Sequence, residues 1–135
     1  MEFTSQTTTE TDVFKIINDL TKDKTDQYDI GFLFVSSLNN ELTTKLISFI
    51  RQRVKVNCLV GCTCAGIIGT NTEIEQVPAT VLILGKLPGV KIVPFSINQT
   101  QLEGLLRAED WYSFFNIFPN EEAKFLVLPD PFLFD

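Results

Sequence analysis

The fold is decided by residues 30–66, IGFLFVSSLNNELTTKLISFIRQRVKVNCLVGCTCAG. Residues 30–35 form a short continuous apolar run, which is typical of a strand covered on both faces. A helix follows, capped by Asn39 or Asn40, because apolar residues then recur at helical spacing. Its stripe consists of Leu42, Leu46, Phe49 and Ile50, with Val54 near the end. Residues 56–60 predict a second strand, so the segment is a βαβ unit with parallel strands and a right-handed crossover.

The glycine-framed cysteine turn comes directly after the second of these strands. Ligands of open α/β sheets tend to bind at this carboxyl edge. Glycine allows a close backbone approach, and successive N–H groups can bind a carboxylate or another oxyanion. A small-ligand pocket and a tight strand exit packed by small side chains both fit, and the residues alone favour the second. The predicted ligand-binding residues here are Gly61, Cys62, Thr63, Cys64, Ala65 and Gly66.

The flanking segments complete the prediction of an α/β fold with a mixed β-sheet covered by helices. Residues 1–11 read as a flexible leader, and residues 12–135 as one domain. Thr11 or Asp12 caps a first helix whose apolar stripe is Val13, Ile16, Ile17 and Leu20. Residues 80–84 and 90–95 are strands whose short linker favours an antiparallel hairpin.

The C-terminal third of the chain predicts two helices and a last strand. Residues 101–107 are one helical segment. Trp111, Phe114, Phe115 and Phe118 share one face of a second short helix, at i, i+3, i+4 and i+7. That aromatic face is more typical of a core than of a binding site. Residues 125–128 are the last strand.

Composition excludes several classes of function. The formal net charge is −6, which disfavours binding to nucleic acid and to anionic membranes. The chain has no histidine, so Ser-His-Asp and Cys-His catalysis and the commonest metal ligand are excluded. We therefore expect no enzyme activity, no cofactor and no metal. Apolar residues make up 44% of the 135 residues, which is enough to build a core.

The three cysteines, Cys58, Cys62 and Cys64, indicate a reducing compartment. Their odd number and close spacing make a poor disulfide framework. Structural thiols are favoured over a nucleophile, and a zinc site would need a fourth ligand and paired CxxC spacing. No secretion signal and no apolar run of roughly 20 residues is visible. The sequence therefore predicts an intracellular protein of the cytoplasm or the nucleus.

Acidic side chains give two further candidates for chemistry. Asp130 follows the last predicted strand, where it could accept a hydrogen bond from a ligand's ammonium or hydroxyl group, or simply form a turn. Glu73 and Glu75 alternate along an extended or looped segment. An acid–base pair is one interpretation of the two glutamates, and solvated loop charges are the favoured one. We include Asp130 among the predicted ligand-binding residues.

Four segments resemble a known family in their order and spacing. They are GFLFVS at residues 31–36, LVGCTCAGIIG at 59–69, LPGVKIVPF at 87–95 and FLVLPDPF at 125–132. Together they resemble the FIST domain, named for F-box and intracellular signal transduction proteins. The resemblance covers residues 12–135 and corresponds to the first part of the family's N-terminal domain.

The resemblance implies a sensory module that binds a small ligand, such as an amino acid or a small carboxylate. In F-box relatives it implies recruitment of substrates to a ubiquitin ligase. A protein-interaction module of that kind is our alternative expectation, and a cysteine-dependent enzyme is a distant third. A protein partner would contact the aromatic pair Trp111 and Phe115, or Phe132 and Phe134 near the C-terminus.

Overall fold

A computed structural model describes residues 1–69 and 71–130. The chain forms two compact units, one over Met1–Val93 and one that begins at Pro94, which subdivides the single domain predicted for residues 12–135. The first unit contains, in chain order, β1 Glu2–Thr8, α1 Val13–Thr21, β2 Gln27–Ser36, a 3-10 helix Ser37–Leu42, α2 Thr43–Arg53, β3 Lys55–Cys64, β4 Gly66–Gly69, β5 Thr72–Glu75 and β6 Thr80–Lys86. The second contains α3 Gln99–Glu103 and α4 Ala108–Phe115. Across the described ranges, no helix combines the length and apolar character needed to cross a bilayer.

A four-stranded mixed sheet with the order β1-β6-β2-β3 organises the first unit. Strand β2 is parallel to β3 and antiparallel to β6, and β6 is antiparallel to β1. The parallel pair β2 and β3 is connected through α2, so the predicted βαβ unit is confirmed. The α/β class and the mixed sheet are confirmed with it.

Helix α1 begins where its first residues find a capping acceptor. The Asp12 carboxylate accepts hydrogen bonds from the backbone N–H groups of Phe14 and Lys15, at 3.1 and 3.0 Å. These donors lie in the first turn, where the helix itself supplies no acceptor. Ile16, Ile17 and Leu20 then bury one face of the helix. The cap and stripe predicted for this helix are therefore confirmed.

Helix α2 begins later than the sequence predicts, and Asn39 does not cap it. Residues 37–42 form the 3-10 helix, whose Asn39 is buried and donates from Nδ2 to the Glu10 carbonyl at 3.2 Å. The side chain is thus occupied by a distant segment of the chain. The N-cap position of α2 is Leu42, which forms no side-chain cap. Leu46 and Ile50 form its buried face.

Both faces of the sheet contribute to the core, because side chains alternate along each strand. One face packs on α1 and α2, and the buried side chains there include Leu33, Val35, Leu82 and Leu84 of the sheet. The opposite face contributes to a smaller cluster in which Ile67 of β4 packs with Ala79 and Val81. Phe34, Cys64, Ile74 and Ile83 pack around this second cluster.

Residues 2–8 form strand β1, so the flexible leader predicted for residues 1–11 is wrong. The strand pairs with β6 along its whole length, from Glu2 opposite Lys86 to Thr8 opposite Thr80. Threonine is β-branched and suits an edge strand, where polar side chains can face water. The phenyl ring of Phe3 also covers Gly85, the residue paired with it on β6.

The predicted hairpin is also wrong in its location. Strand β6 exists, but residues 90–95 lie outside any strand. Both hydrogen-bonding edges of β6 are already occupied by β1 and β2, so no edge is left for another partner. The antiparallel hairpin of this fold is formed instead by β4 and β5. Strand β5 lies in the segment of Glu73 and Glu75, for which the sequence allowed an extended or a looped form.

The second unit contains two short helices around a cluster of rings. Asn98 caps α3 through its side chain, and the helix ends before the predicted Arg107. Helix α4 ends at Asn116, whose φ of 50° is left-handed, so the predicted extension to Phe118 does not form. Residues 125–128, predicted as a strand, form none. The clustered rings are those of Phe95, Trp111, Phe114, Phe115 and Phe125.

Adjacent residues of α2 provide a direct test of the core. Leu46 is fully buried, whereas Ile47 beside it is 38% exposed. We expect Leu46→Ala to lower the free energy of unfolding by about 2–5 kcal/mol, because it removes packed atoms and leaves a cavity. Ile47→Ala is the control and should cost about 1 kcal/mol or less. Urea unfolding followed by circular dichroism measures both, and equal losses would contradict this packing.

Candidate functional site

Residues 61–66, called here the glycine-cysteine motif, begin within strand β3 and do not form a separate turn after it. The predicted strand ends at Val60, but β3 continues through Gly61–Cys64 and the chain bends at Ala65. The continuation is explained by β2, which runs on to Ser36 and pairs with β3 as far as Cys64. The motif therefore lies at the carboxyl ends of two parallel strands, at the position predicted for it.

The motif forms an open surface of the first unit. Strand β3 is at the edge of the sheet and pairs with β2 alone among the described strands. Gly61, Cys62, Thr63, Ala65 and Gly66 are exposed, and Cys64 is half-buried. Among the described residues, no strand pairs with the outer backbone edge of β3 near Thr63.

The two glycines that frame the motif differ in why they lack a side chain. A Cβ at Gly61 would overlap the carbonyl oxygen of Leu33, its partner on β2. Gly66 faces Glu75 on β5, and a Cβ there would lie 3.3 Å from the flexible Cγ of that glutamate. Gly61 is therefore required by the approach of the β2 backbone, a structural demand that exists without any ligand.

Cys64 has the properties of a structural thiol. Its Sγ donates to the Val35 carbonyl at 3.6 Å, and the side chain packs against the cluster around Ile67. Burial raises the pKa of the Cys64 thiol, and the charge of the neighbouring Cys62 raises this pKa further. A raised pKa keeps the group protonated at neutral pH, which opposes a nucleophilic role.

Cys62 is the cysteine of the motif that solvent reaches. It is exposed, whereas Cys58 and Cys64 are half-buried. The three alternate positions place these side chains on one face of β3. All three thiols are free, and the described residues contain no group of His, Cys, Asp or Glu side chains that could hold a metal ion.

Ser36 anchors the neighbouring end of β2, a role that the sequence analysis did not predict. Its backbone N–H donates to the Ala79 carbonyl at 2.9 Å, and its Oγ accepts from the Ala79 N–H at 3.0 Å. Both backbone groups of Ala79 are thus satisfied by one buried residue. The pair joins the end of β2 to the start of β6 and holds the edge beside Cys64 in place. The available signal was a serine directly after an apolar strand.

The acidic candidates lie on different parts of the chain. Asp130 is an exposed residue of the second unit, and its predicted contribution to a pocket with Gly61–Gly66 stays a prediction. Glu73 and Glu75 lie on β5, both exposed and two residues apart, so they share one face of that strand. Extended backbone was one of the two forms foreseen for them.

The aromatic candidates belong to the second unit. Trp111 and Phe115 are half-buried and stack at 5.9 Å between ring centroids. Phe115 also contacts Phe95 at 4.8 Å, edge to face. These contacts serve the packing of that unit, as the favoured interpretation of this face expects. Phe132 and Phe134 lie outside the described residues.

The glycines at either end of the motif make a matched test. We expect Gly61→Ala to cost about 1–3 kcal/mol of unfolding free energy, because the added methyl group must displace the β2 backbone. Gly66→Ala needs only a small shift of the Glu75 side chain and should cost less than about 1 kcal/mol. Urea unfolding of both variants measures the difference. An equal effect would contradict the close approach of β2 at Gly61.

Alkylation tests the assignment of the two thiols. At pH 8 iodoacetamide should modify Cys62 before Cys64, because Cys62 is exposed and Cys64 is half-buried with a raised pKa. The rate at Cys64 should reach half its maximum at a pH above about 8.5, the ordinary value of a free thiol. Peptide mass spectrometry resolves the sites, and Cys62→Ser should remove the early adduct. Faster labelling of Cys64 would overturn the assignment.

Comparison with known proteins identifies one family. A family model described as the FIST N domain matches residues 29–135. No curated protein and no solved structure matched the chain. The match includes β2 from Asp29 onward, all of β3 and the whole glycine-cysteine motif.

Proposed function

Because the chain belongs to the FIST N domain family, which is associated with signal transduction, we propose that it is a sensory domain for a small polar ligand. The ligand class is an amino acid or a small carboxylate. The binding surface is the end of β3, with the backbone of Gly61–Cys64 and the hydroxyl group of Thr63. The carboxyl edge of a parallel strand pair is where α/β sheets tend to bind ligands.

The observation that carries this proposal is the exposed backbone of an edge strand at that end of the sheet. Among the described strands β3 has a single partner, and Gly61, Cys62 and Thr63 are exposed. Backbone N–H groups on the outer side of such a strand can donate to a carboxylate. The end of β2, which pairs with β3 at Cys64, is held by the hydrogen bonds between Ser36 and Ala79. A ligand would therefore bind to a strand end that is already ordered.

A binding role suits these side chains better than a catalytic one. Cys64 has a raised pKa and donates to Val35, which leaves it a poor nucleophile. The chain contains no histidine to serve as a base for the exposed Cys62. We therefore propose that the domain has no enzymatic activity of its own.

A second candidate function is the docking of a protein partner. Residues 125–128 of the second unit carry apolar side chains that are 41–58% exposed. Exposed apolar runs of this kind are often interaction sites. Recovery of ubiquitin-ligase subunits by the wild-type chain, and their loss with Leu126→Ser, would support the adaptor interpretation. Equal recovery by both chains would remove residues 125–128 as its basis.

The ligand proposal is tested by nuclear magnetic resonance. The common amino acids and small carboxylates are each added to the ¹⁵N-labelled chain at constant pH and ionic strength. At least one should give saturable shifts at residues 61–64. Thr63→Val should weaken its binding about fivefold, because one hydrogen bond contributes about 1 kcal/mol.

The control is Thr9→Val, which removes the hydroxyl group of an exposed threonine outside the helices and strands. It should leave the affinity unchanged. The proposal fails if no compound gives saturable shifts at residues 61–64 at concentrations up to about 10 mM. A titration to that concentration would detect a complex with a Kd of about 1 mM, which corresponds to about 4 kcal/mol of binding free energy.

A further inference from the structure

An open cavity of about 550 Å³ lies at the end of α1, within the first unit. It is lined by Asn18, Asp19, residues 21–25 and Arg53, the last residue of α2. None of the residues at the end of β3 contributes to it. The charged side chains that line it are those of Lys22, Lys24, Arg53, Asp19 and Asp23.

Two of the three cations are held in place by neutral groups. Arg53 donates from Nη1 to the Asn18 side-chain oxygen at 2.6 Å. Lys24 donates from Nζ to the Thr4 hydroxyl oxygen at 2.9 Å. Neither hydrogen bond neutralises the charge, so each cation is positioned and remains available to an anion.

No carboxylate in the described part of the chain forms an ion pair with these three cations. The ion pairs there involve Lys15, Lys86 and Lys124 instead. The negative ends of α1 and α2 favour cations at Lys22, which directly follows α1, and at Arg53, which ends α2. Lys24 lies beyond α1 and is positioned by its hydrogen bond to Thr4.

The two aspartates of the lining define what kind of anion fits. The Asp19 carboxylate accepts from the Thr8 hydroxyl group at 2.7 Å, and Asp23 sits at a φ of 59° between the two lysines. A bare oxyanion would be repelled by these carboxylates. An anion with a hydroxyl group can donate to them while its other oxygens face the cations. Phosphate keeps a hydroxyl group at neutral pH, and sulfate does not.

We propose that this cavity binds phosphate, either as the inorganic ion or as the phosphate group of a small hydroxyl-bearing molecule. The phosphate oxygens accept from Lys22, Lys24 and Arg53. A hydroxyl group of the ligand donates to Asp19 or Asp23. The cavity exceeds the volume of one phosphate ion, which leaves space for an organic group.

The test titrates the ¹⁵N-labelled chain at pH 7 with inorganic phosphate, glycerol phosphate and sulfate, each against sodium chloride of equal ionic strength. Phosphate should give saturable shifts at residues 18–25, and sulfate should bind at least about threefold more weakly. Tighter binding of glycerol phosphate would identify an organic phosphate as the ligand, and tighter binding of phosphate would identify the inorganic ion. Shifts no larger than those with chloride would overturn the proposal.

Three variants locate the site. Arg53→Gln and Lys22→Gln should each weaken phosphate binding about tenfold or more, since charged hydrogen bonds contribute about 1.5–3 kcal/mol. The Lys22 side chain is exposed and takes part in none of the ion pairs of the described residues, so its loss should leave the fold intact. Lys45→Gln removes an exposed cation elsewhere on α2 and should change nothing. Unchanged binding by Lys22→Gln and Arg53→Gln would overturn the proposal. The shifts at residues 18–25 also distinguish this site from the one proposed at residues 61–64.

Discussion

The first unit depends on the pairing of β2 with a strand on each side. Its parallel register with β3 brings Gly61 against Leu33, and its antiparallel register with β6 places Phe32 opposite Ile83. Because side chains alternate along a strand, Leu33 enters one cluster and Phe34 packs against the other. Strands β3 and β6 pair directly with β2, and β1 joins the sheet through β6.

The glycine-cysteine motif shows how one segment can serve packing and still present a surface. Gly61 is required by the β2 backbone, and Cys64 is drawn inward by its hydrogen bond to Val35 and its contacts with the second cluster. Between them Cys62 and Thr63 remain exposed. The structural residues therefore hold the strand end while the residues between them stay open to a ligand.

Charge is distributed unevenly in this acidic chain. Lys86, at the end of β6, forms an ion pair with Asp26 at 2.6 Å and lies over the Tyr28 ring. The pair therefore links the end of β6 to the start of β2. At the end of α1, Lys24 and Arg53 are bonded to neutral oxygens instead. The charge of Lys86 is therefore balanced by a carboxylate of the fold, whereas the charges of Lys24 and Arg53 can still attract an anion.

By itself the sequence determined what depends on local pattern: the Asp12 cap, the stripe of α1, the βαβ unit, and the family through its spaced motifs. Only the tertiary structure decided which strand edges are occupied. It placed residues 2–8 beside β6, left residues 90–95 outside any strand, and carried β3 on to Cys64. It also showed that Gly61 lies against the backbone of β2, whereas Gly66 faces the flexible side chain of Glu75. The physical reason is that strand pairing joins residues far apart in the chain, and neither composition nor periodicity specifies which edge a strand will find.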